Sequence, residues 1–277
     1  MSSLVVNRHL DQGCPLEGLV LAADEKLRSG ERVQVVFDLD DTLFLVKPRK
    51  QAILRELAAE FFAGTNVAQA LSRLAASHIP YDLREALGTV GIAERHHENI
   101  QELFFQRFFD GGYIKHDALN EGATDYVNQL HQLGAHIVYL SGRPDTMLQA
   151  TIDMLEQHRL PLHPSRTEVV LKRPHEMSVS DVAFKAEKAE LLARGRICLG
   201  VFDNEPANLN AMSNAFSSAS FFLLDTDHSP APPPLAVDAH VVRDFRFTRA
   251  RLNAALQRSK PLDMAGVTLT VSLDGGK

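Results

Sequence analysis

Apolar positions along this chain follow two different periods, and the changes between them divide it. Residues 33–37 form a short apolar run rich in β-branched side chains, Val33, Val35 and Val36, closed by Phe37. Such a run predicts a buried central strand. Ahead of it, Leu16, Leu19, Leu21, Ala22 and Leu27 fall near one face of a helix over 16–29, which Gly30 can end. From Pro48 the period becomes 3.6. Ile53, Leu57 and Phe61 recur every four residues, with Leu54, Ala58 and Phe62 beside them and Gly64 as the expected stop. Val67 to Leu74, Leu83 to Leu87 and Ile100 to Phe109 predict three more short helices, the last halted by Gly111-Gly112.

Beyond this the pattern alternates. Helix is expected over 118–133, strand over 136–140, helix over 145–157 and strand over 167–171. A helix capped by Ser180 or Asp181, a strand over 196–202, a helix over 206–216 and a strand over 220–224 follow. Strands alternating with helices predict a parallel sheet, because a crossover helix is the simplest connection between parallel neighbours. The Pro-rich run 229–235 reads as a stiff surface loop, with a last helix over 247–258 and an edge strand or tail at 267–273. The expected class is α/β. Residues 1–46 and 117–262 would form a discontinuous core, 47–116 a helical insertion and 263–277 a C-terminal tail or edge strand.

Composition narrows this picture. A chain of 277 residues supports one large domain or a core with a smaller insert. The net charge of -6 disfavours coating nucleic acid or a membrane surface. Two cysteines, Cys14 and Cys198, cannot build a disulfide framework or a Cys-rich zinc site. His96-His97 and His116 lack a ligand spacing that would support zinc. No apolar run approaches membrane-spanning length, and the N-terminus lacks the pattern of a signal peptide, so cytoplasmic residence is expected.

The chemistry begins where the first strand ends. Asp38 and Asp40 are two residues apart, so an extended chain presents both carboxylates on one side. In open α/β sheets the carboxyl ends of strands are where ligands bind. Asp38-Leu39-Asp40-Asp41-Thr42 resembles the first motif, D-x-D-x-T, of the haloacid dehalogenase-like superfamily. Ser141-Gly142-Arg143 resembles its second motif, Lys185 its third and Val201-Phe202-Asp203-Asn204 its fourth, in the expected order. The resemblance spans residues 33–225 and leaves 46–116 uncovered. It implies a Rossmann-like core, an inserted helical cap, and Mg²⁺-dependent hydrolysis of phosphomonoesters through an aspartyl-phosphate.

The resemblance also implies roles. Asp38 matches the nucleophile. Asp40 matches the general acid/base, a role worth about 10²–10⁴-fold. Ser141 and the backbone that follows would donate to the phosphoryl group, with Thr42, Gly142 and Arg143 beside it. Arg143 reads equally well as one half of a structural ion pair. Lys185 is the favoured third-motif lysine over Lys172 and Lys188. Mg²⁺ would be held by Asp38, the Asp40 carbonyl and Asp203. Many relatives carry a second acid after the last of these. This chain has Asn204 there, and Ala207 where a later acid stands in others, so Asn204 or Glu205 is left to complete the site. Asn208 follows Pro206 as in many relatives. Lys47, Arg49 and Lys50 could face an anionic substrate, although a solvated helix start is the simpler reading. The expected partner is a small phosphorylated molecule, with a nucleotide or nucleic-acid end as a further candidate and no membrane. Phosphoryl transfer to an acceptor other than water, or a catalytically silent phosphate-binding role, are the rival readings.

Overall fold

The computed structural model describes residues 13–75 and 79–258. Helix α1 (Gly13–Arg28) leads into β1 (Val33–Phe37). A short strand, β2 (Phe44–Leu45), opens the helical segment α2 (Lys47–Glu60), α3 (Asn66–Arg73), α4 (Leu83–Thr89) and α5 (His97–Phe108), which returns through β3 (Ala118–Leu119). Then come α6 (Ala123–Leu133), β4 (His136–Pro144), α7 (Leu148–Gln157), β5 (Thr167–Lys172) and α8 (Asp181–Leu192). The chain continues through β6 (Ile197–Asp203), α9 (Pro206–Ser213), β7 (Ser220–Leu224), β8 (Ala239–Val242) and α10 (Arg249–Arg258).

Six strands form one parallel sheet in the order β5-β4-β1-β6-β7-β8. The α/β class with a parallel sheet is therefore the observed fold. Side chains alternate between its faces, as the period of two demands. Val33, Val35 and Phe37 join the cluster under α1, α6 and α7, whereas Val36 joins Phe184 of α8 and Leu209 of α9 on the other face. Every residue of β1 is buried, which explains why its sequence is continuously apolar save for Gln34. Gln34 satisfies its amide N–H by donating to the Leu192 carbonyl, 2.7 Å away.

The helices between β2 and β3 bury a separate apolar cluster, including Ile53, Leu57, Leu71, Leu87, Ile100 and Phe104. Antiparallel pairing of Phe44 with Leu119 and Leu45 with Ala118 brings the two ends of this segment together.

Three expectations change. Residues 118–133 are helical only from Ala123, because Ala118 and Leu119 pair with a strand more than seventy positions earlier, which local periodicity cannot register. The helix expected to run to Gly64 ends at Glu60, and a sixth strand, β8, follows the Pro-rich run. The run 267–273 lies outside the described residues.

Candidate active site

The chain runs from β1 through β4 to β5 on one side of the sheet, then crosses to β6, β7 and β8 on the other. β1 and β6 flank this reversal, the place where open α/β sheets bind ligands. Their register pairs Phe37 with Phe202, and the rings stack with centroids 4.7 Å apart. Phe222 of β7 extends the stack at 4.3 Å. Each such pair contributes about 0.5–1.5 kcal/mol beyond its area burial. The consequence is local and chemical. Asp38 and Asp203 each follow one of these paired phenylalanines, and the Asp38 N–H donates to the Phe202 carbonyl at 2.9 Å.

Lys185, on α8, bridges the two acids. Its Nζ donates to Asp38 Oδ1 and to Asp203 Oδ2, each at 2.7 Å. All three side chains are buried. Burial pushes the Asp38 carboxyl up to about 7, with Lys185 opposing the rise and the like charge of Asp203 adding to it. One ammonium thus faces two carboxylates. Asp203 is held further by the Glu205 N–H at 2.9 Å and the Asn208 amide at 3.1 Å, both on Oδ1.

Asp40 has a different environment. Its Oδ1 accepts from Arg49 Nη2 at 2.7 Å and from Arg143 Nε at 3.0 Å, with Arg143 Nη2 closer still. Both arginines also donate to Asp117, Arg49 through Nε at 2.8 Å and Arg143 through Nη2 at 3.1 Å. Burial would raise the Asp40 carboxyl, but the charges of Arg143 and Arg49 outweigh it and hold the group well below the usual carboxylate range. Burial pushes Asp117 up to about 6 against the pull of Arg49.

Asp117 is the residue that sequence reasoning missed, and the sequence presents Arg49 as a substrate contact or a solvated helix start, not as a partner of Asp40 and Asp117. Arg49 is fully buried and Lys50 nearly so, which corrects the expectation of a solvated helix start. The signal was present, since Arg49 lies four residues before Ile53 on the buried face of α2. The Arg49 guanidinium also sits 4.4 Å over the Phe108 ring. Asp117 had no local signal, because its partners arrive from residues 49 and 143.

The remaining candidates are distributed unevenly. Ser141 and Gly142 line a cavity of about 420 Å³ together with Asp38, Asp40, Arg143, Lys185 and Asn204. Strand β4 continues past residue 140, where the strand was expected to end, to Pro144, with its pairing to β5 irregular between Leu140 and Pro144. A Cβ on Gly142 would lie 2.5 Å from the Asp181 carboxylate, so a side chain there would have to displace that carboxylate. Thr42 is fully buried behind the cavity wall, and its Oγ donates to Asn204 Oδ1 at 3.4 Å. The Asn204 amide donates to the Asp227 carbonyl at 2.6 Å. Glu205 also lines the cavity, with its carboxylate accepting from the Ser229 N–H and Oγ, each at 2.8 Å. Lys188 pairs with Glu176 and Lys172 with Asp181, which leaves Lys185 as the lysine on Asp38. Asp41, between these groups and β2, adopts a left-handed φ of 56°. Its carboxylate accepts the Val46 N–H at 3.1 Å, closing the loop that carries the first motif.

The family model for haloacid dehalogenase-like hydrolases matches residues 34–194. The chain belongs to this family. It is therefore a hydrolase by family, and the motifs at Asp38, Ser141 and Lys185 all fall within the matched residues. Among solved structures, a candidate phosphatase from Clostridium difficile aligns with 77% of this chain and 94% of its own, at 12% identity and a TM-score of 0.51. A candidate haloacid dehalogenase-like hydrolase from Burkholderia xenovorans LB400 covers 78% and 94%, at 17% identity and 0.45. A dehalogenase solved with an intermediate covers 76% and 93%, at 12% identity and 0.42. The first of these likenesses bears on the fold alone, and none of them on the substrate. None of the curated proteins compared matches this chain. No helix among the described residues is long and apolar enough to cross a membrane.

The donor set suits a magnesium ion in kind. Asp38, Asp203 and Asn204 offer hard oxygens, which magnesium prefers, with water completing its shell. The charge balance suits it as well: burial pushes Asp38 up to about 7, the like charge of Asp203 adds to the rise, and Lys185 alone does not offset them. Among the described residues no group of three or more His, Cys, Asp or Glu side chains converges, so the Asp40 carbonyl and Asn204 would be needed to complete the set.

Proposed function

We propose that this hydrolase cleaves phosphomonoesters, with Asp38 as nucleophile. The observation that carries the reading is a cavity lined by Asp38, Asp40, Ser141 and Lys185, with Asp203 buried behind it and tied to Asp38 through Lys185. An Asp38 oxygen attacks phosphorus, the ester P–O bond breaks, and the leaving oxygen takes a proton. Water then attacks the phosphorus of the aspartyl-phosphate, releases inorganic phosphate and restores the Asp38 carboxylate. One hard step becomes two easier ones. Lys185 favours the ionised form of the nucleophile and holds it in place, and Ser141 would donate to the phosphoryl oxygens. Asp38, the Asp40 carbonyl, Asp203 and Asn204 would hold a magnesium ion, which when bound would supply the positive charge that lets one anion approach another.

Asp40 is the proton carrier in this reading, and its surroundings set a condition. A carboxyl held so low is ionised at neutral pH and cannot deliver a proton while both arginines hold it. Arg49 is carried by α2, the first helix of segment 47–116, so movement of that segment would loosen its hold and raise the proton affinity of Asp40. In this reading 47–116 is a cap that admits substrate and excludes water.

The test is a panel of sugar phosphates, nucleotides, phospho-amino acids and 5′- or 3′-phosphorylated oligonucleotides, assayed with Mg²⁺ and with EDTA. Phosphate release that needs Mg²⁺ and is lost by at least about 10³-fold in Asp38→Asn is the expected result. Transfer of phosphate to an added alcohol in place of water would favour the phosphotransferase reading. Full activity in Asp38→Asn would end the proposal. Replacing 48–113 by a Gly/Ser linker tests the cap: a soluble core that has lost discrimination among esters is expected.

A further inference from the structure

The cavity above Asp38 has two unlike halves. Its floor is charged, and its mouth is aromatic. Phe105 of α5, Phe109 just past its end, Tyr81 ahead of α4 and Met177 ahead of α8 line it and are 44%, 40%, 45% and 42% exposed. Phe105 and Phe109 lie one helical turn apart with nearly parallel rings, centroids 6.1 Å apart and planes at 18°. Behind them, Phe104 and Phe108 stack at 5.6 Å and fix the helix face. Contiguous apolar side chains left this open mark binding surfaces, and these share one cavity with the charged groups around Asp38. Sites of this volume hold small ligands through an apolar wall and a few placed polar groups.

The charges on the wall limit what else the ligand can carry. Four cations line the cavity, Lys50, Arg143, Lys172 and Lys185, against five carboxylates. Each of the four already sits on a carboxylate: Lys50 on Asp227 at 3.0 Å, Arg143 on Asp40 and Asp117, Lys172 on Asp181, and Lys185 on Asp38 and Asp203. A second phosphate or a carboxylate on the substrate would meet no uncommitted cation among the described residues of this wall. The mouth instead offers ring faces and the Tyr81 hydroxyl beside the Glu205 carboxylate.

We propose that the substrate is a monophosphate whose alcohol carries an aromatic ring, seated against Phe105 and Phe109 with Met177 also on the wall. This rests on the phosphomonoesterase reading above and adds the class of leaving group. Two sources share this chemistry, an aryl or benzyl phosphate and a nucleoside 5′-monophosphate, in which a sugar separates ring from phosphate.

The test compares esters of similar leaving-group acidity. Benzyl phosphate, glycerol 3-phosphate and adenosine 5′-monophosphate are assayed with Mg²⁺ on the full chain. Non-hydrolysable benzylphosphonate and 2-hydroxyethylphosphonate are titrated in parallel by calorimetry. At least about a tenfold preference in kcat/KM for a ring-bearing ester over glycerol 3-phosphate is expected, mostly in KM, as burying a ring face implies. Whichever of benzyl phosphate and adenosine 5′-monophosphate is preferred identifies the source. The Phe105→Ala/Phe109→Ala double variant should bring that preference to within about threefold of parity, and Met177→Ala should lower it less. Both rings are half-exposed, so their removal opens no core, and Met177→Ala tests the same cavity from another element. Turnover of all esters at parity, or a preference for glycerol 3-phosphate, overturns the inference and leaves the hydrolase reading standing. Hydrolysis of no ester, with benzylphosphonate still bound more tightly and that margin lost in the double variant, sinks the phosphomonoesterase reading and supports the aromatic seat. Equal binding of the two phosphonates without turnover overturns both.

Discussion

Asp38 and Asp40 are two residues apart on one loop, yet their surroundings act on them in opposite directions. Around Asp38, one ammonium serves two buried carboxylates, and the Asp38 carboxyl rises to about 7. Around Asp40, two guanidiniums serve two carboxylates, and the carboxyl is driven well below its ordinary range. Spacing alone would make the pair equivalent. The difference comes from which cations the fold delivers to each. Lys185 reaches Asp38 from α8, while Arg49 and Arg143 reach Asp40 from α2 and from the end of β4. Neighbouring carboxyls pushed apart in this way are a recurrent arrangement where two roles share one site.

The comparison can be broken most severely at Lys185. Lys185→Met leaves Asp38 and Asp203 buried together without a cation. It should cost roughly 3–5 kcal/mol of stability by urea unfolding in EDTA, with part of the loss restored by Mg²⁺. A change near zero would mean that the trio is not the charge cluster described.

Neutralising each acid should then have opposite effects. Asp40→Asn strands two guanidiniums on Asp117 and should destabilise by about 1–3 kcal/mol. Asp38→Asn matches one ammonium to one carboxylate and should leave stability unchanged or higher. Equal losses from the two would erase the distinction.

The same contrast has a pH form, read without metal. Asp38 is protonated more readily in the folded state than in the unfolded one, so between the ordinary carboxylate value and about 7 the native state binds more protons. Stability should therefore fall as pH rises through that window, and Asp38→Asn should flatten the fall. Arg49→Lys acts on the other carboxyl. It replaces a forked donor by a point charge, should cost about tenfold in kcat/KM, and should shift the acidic limb of the rate profile upward as Asp40 regains proton affinity.

The smallest effect sharpens the measurement. Burial pushes His136 down to about 4, with the positive charges of Arg196 and Arg32 adding to the fall. The unfolded chain then binds the extra proton between about 4 and the ordinary histidine value, so this residue makes stability rise with pH there, opposite in sign to Asp38. His136→Gln should remove that part and make the Asp38 slope steeper. An unchanged slope would show that His136 does not titrate in this window.

The sequence alone determined five of the six strands of the sheet, because those strands announce themselves locally. Residues 33–37 and 220–224 match their expected strands residue for residue, and the helices of 47–108 were visible as four apolar faces. It also determined which groups stand at the ends of β1 and β6, since a carboxylate after a buried apolar strand is placed by the strand's own direction. Only the tertiary structure decided what those groups meet. The β2–β3 pairing, the buried Arg49–Asp117 contact, the turning of Glu205 toward Ser229, and the burial of Thr42 against Asn204 all join residues distant in the chain. Periodicity reports which face of an element is apolar, whereas ionisation depends on the few charged atoms within about 4–6 Å. Those atoms are brought together by folding, from segments whose local patterns carry no record of one another.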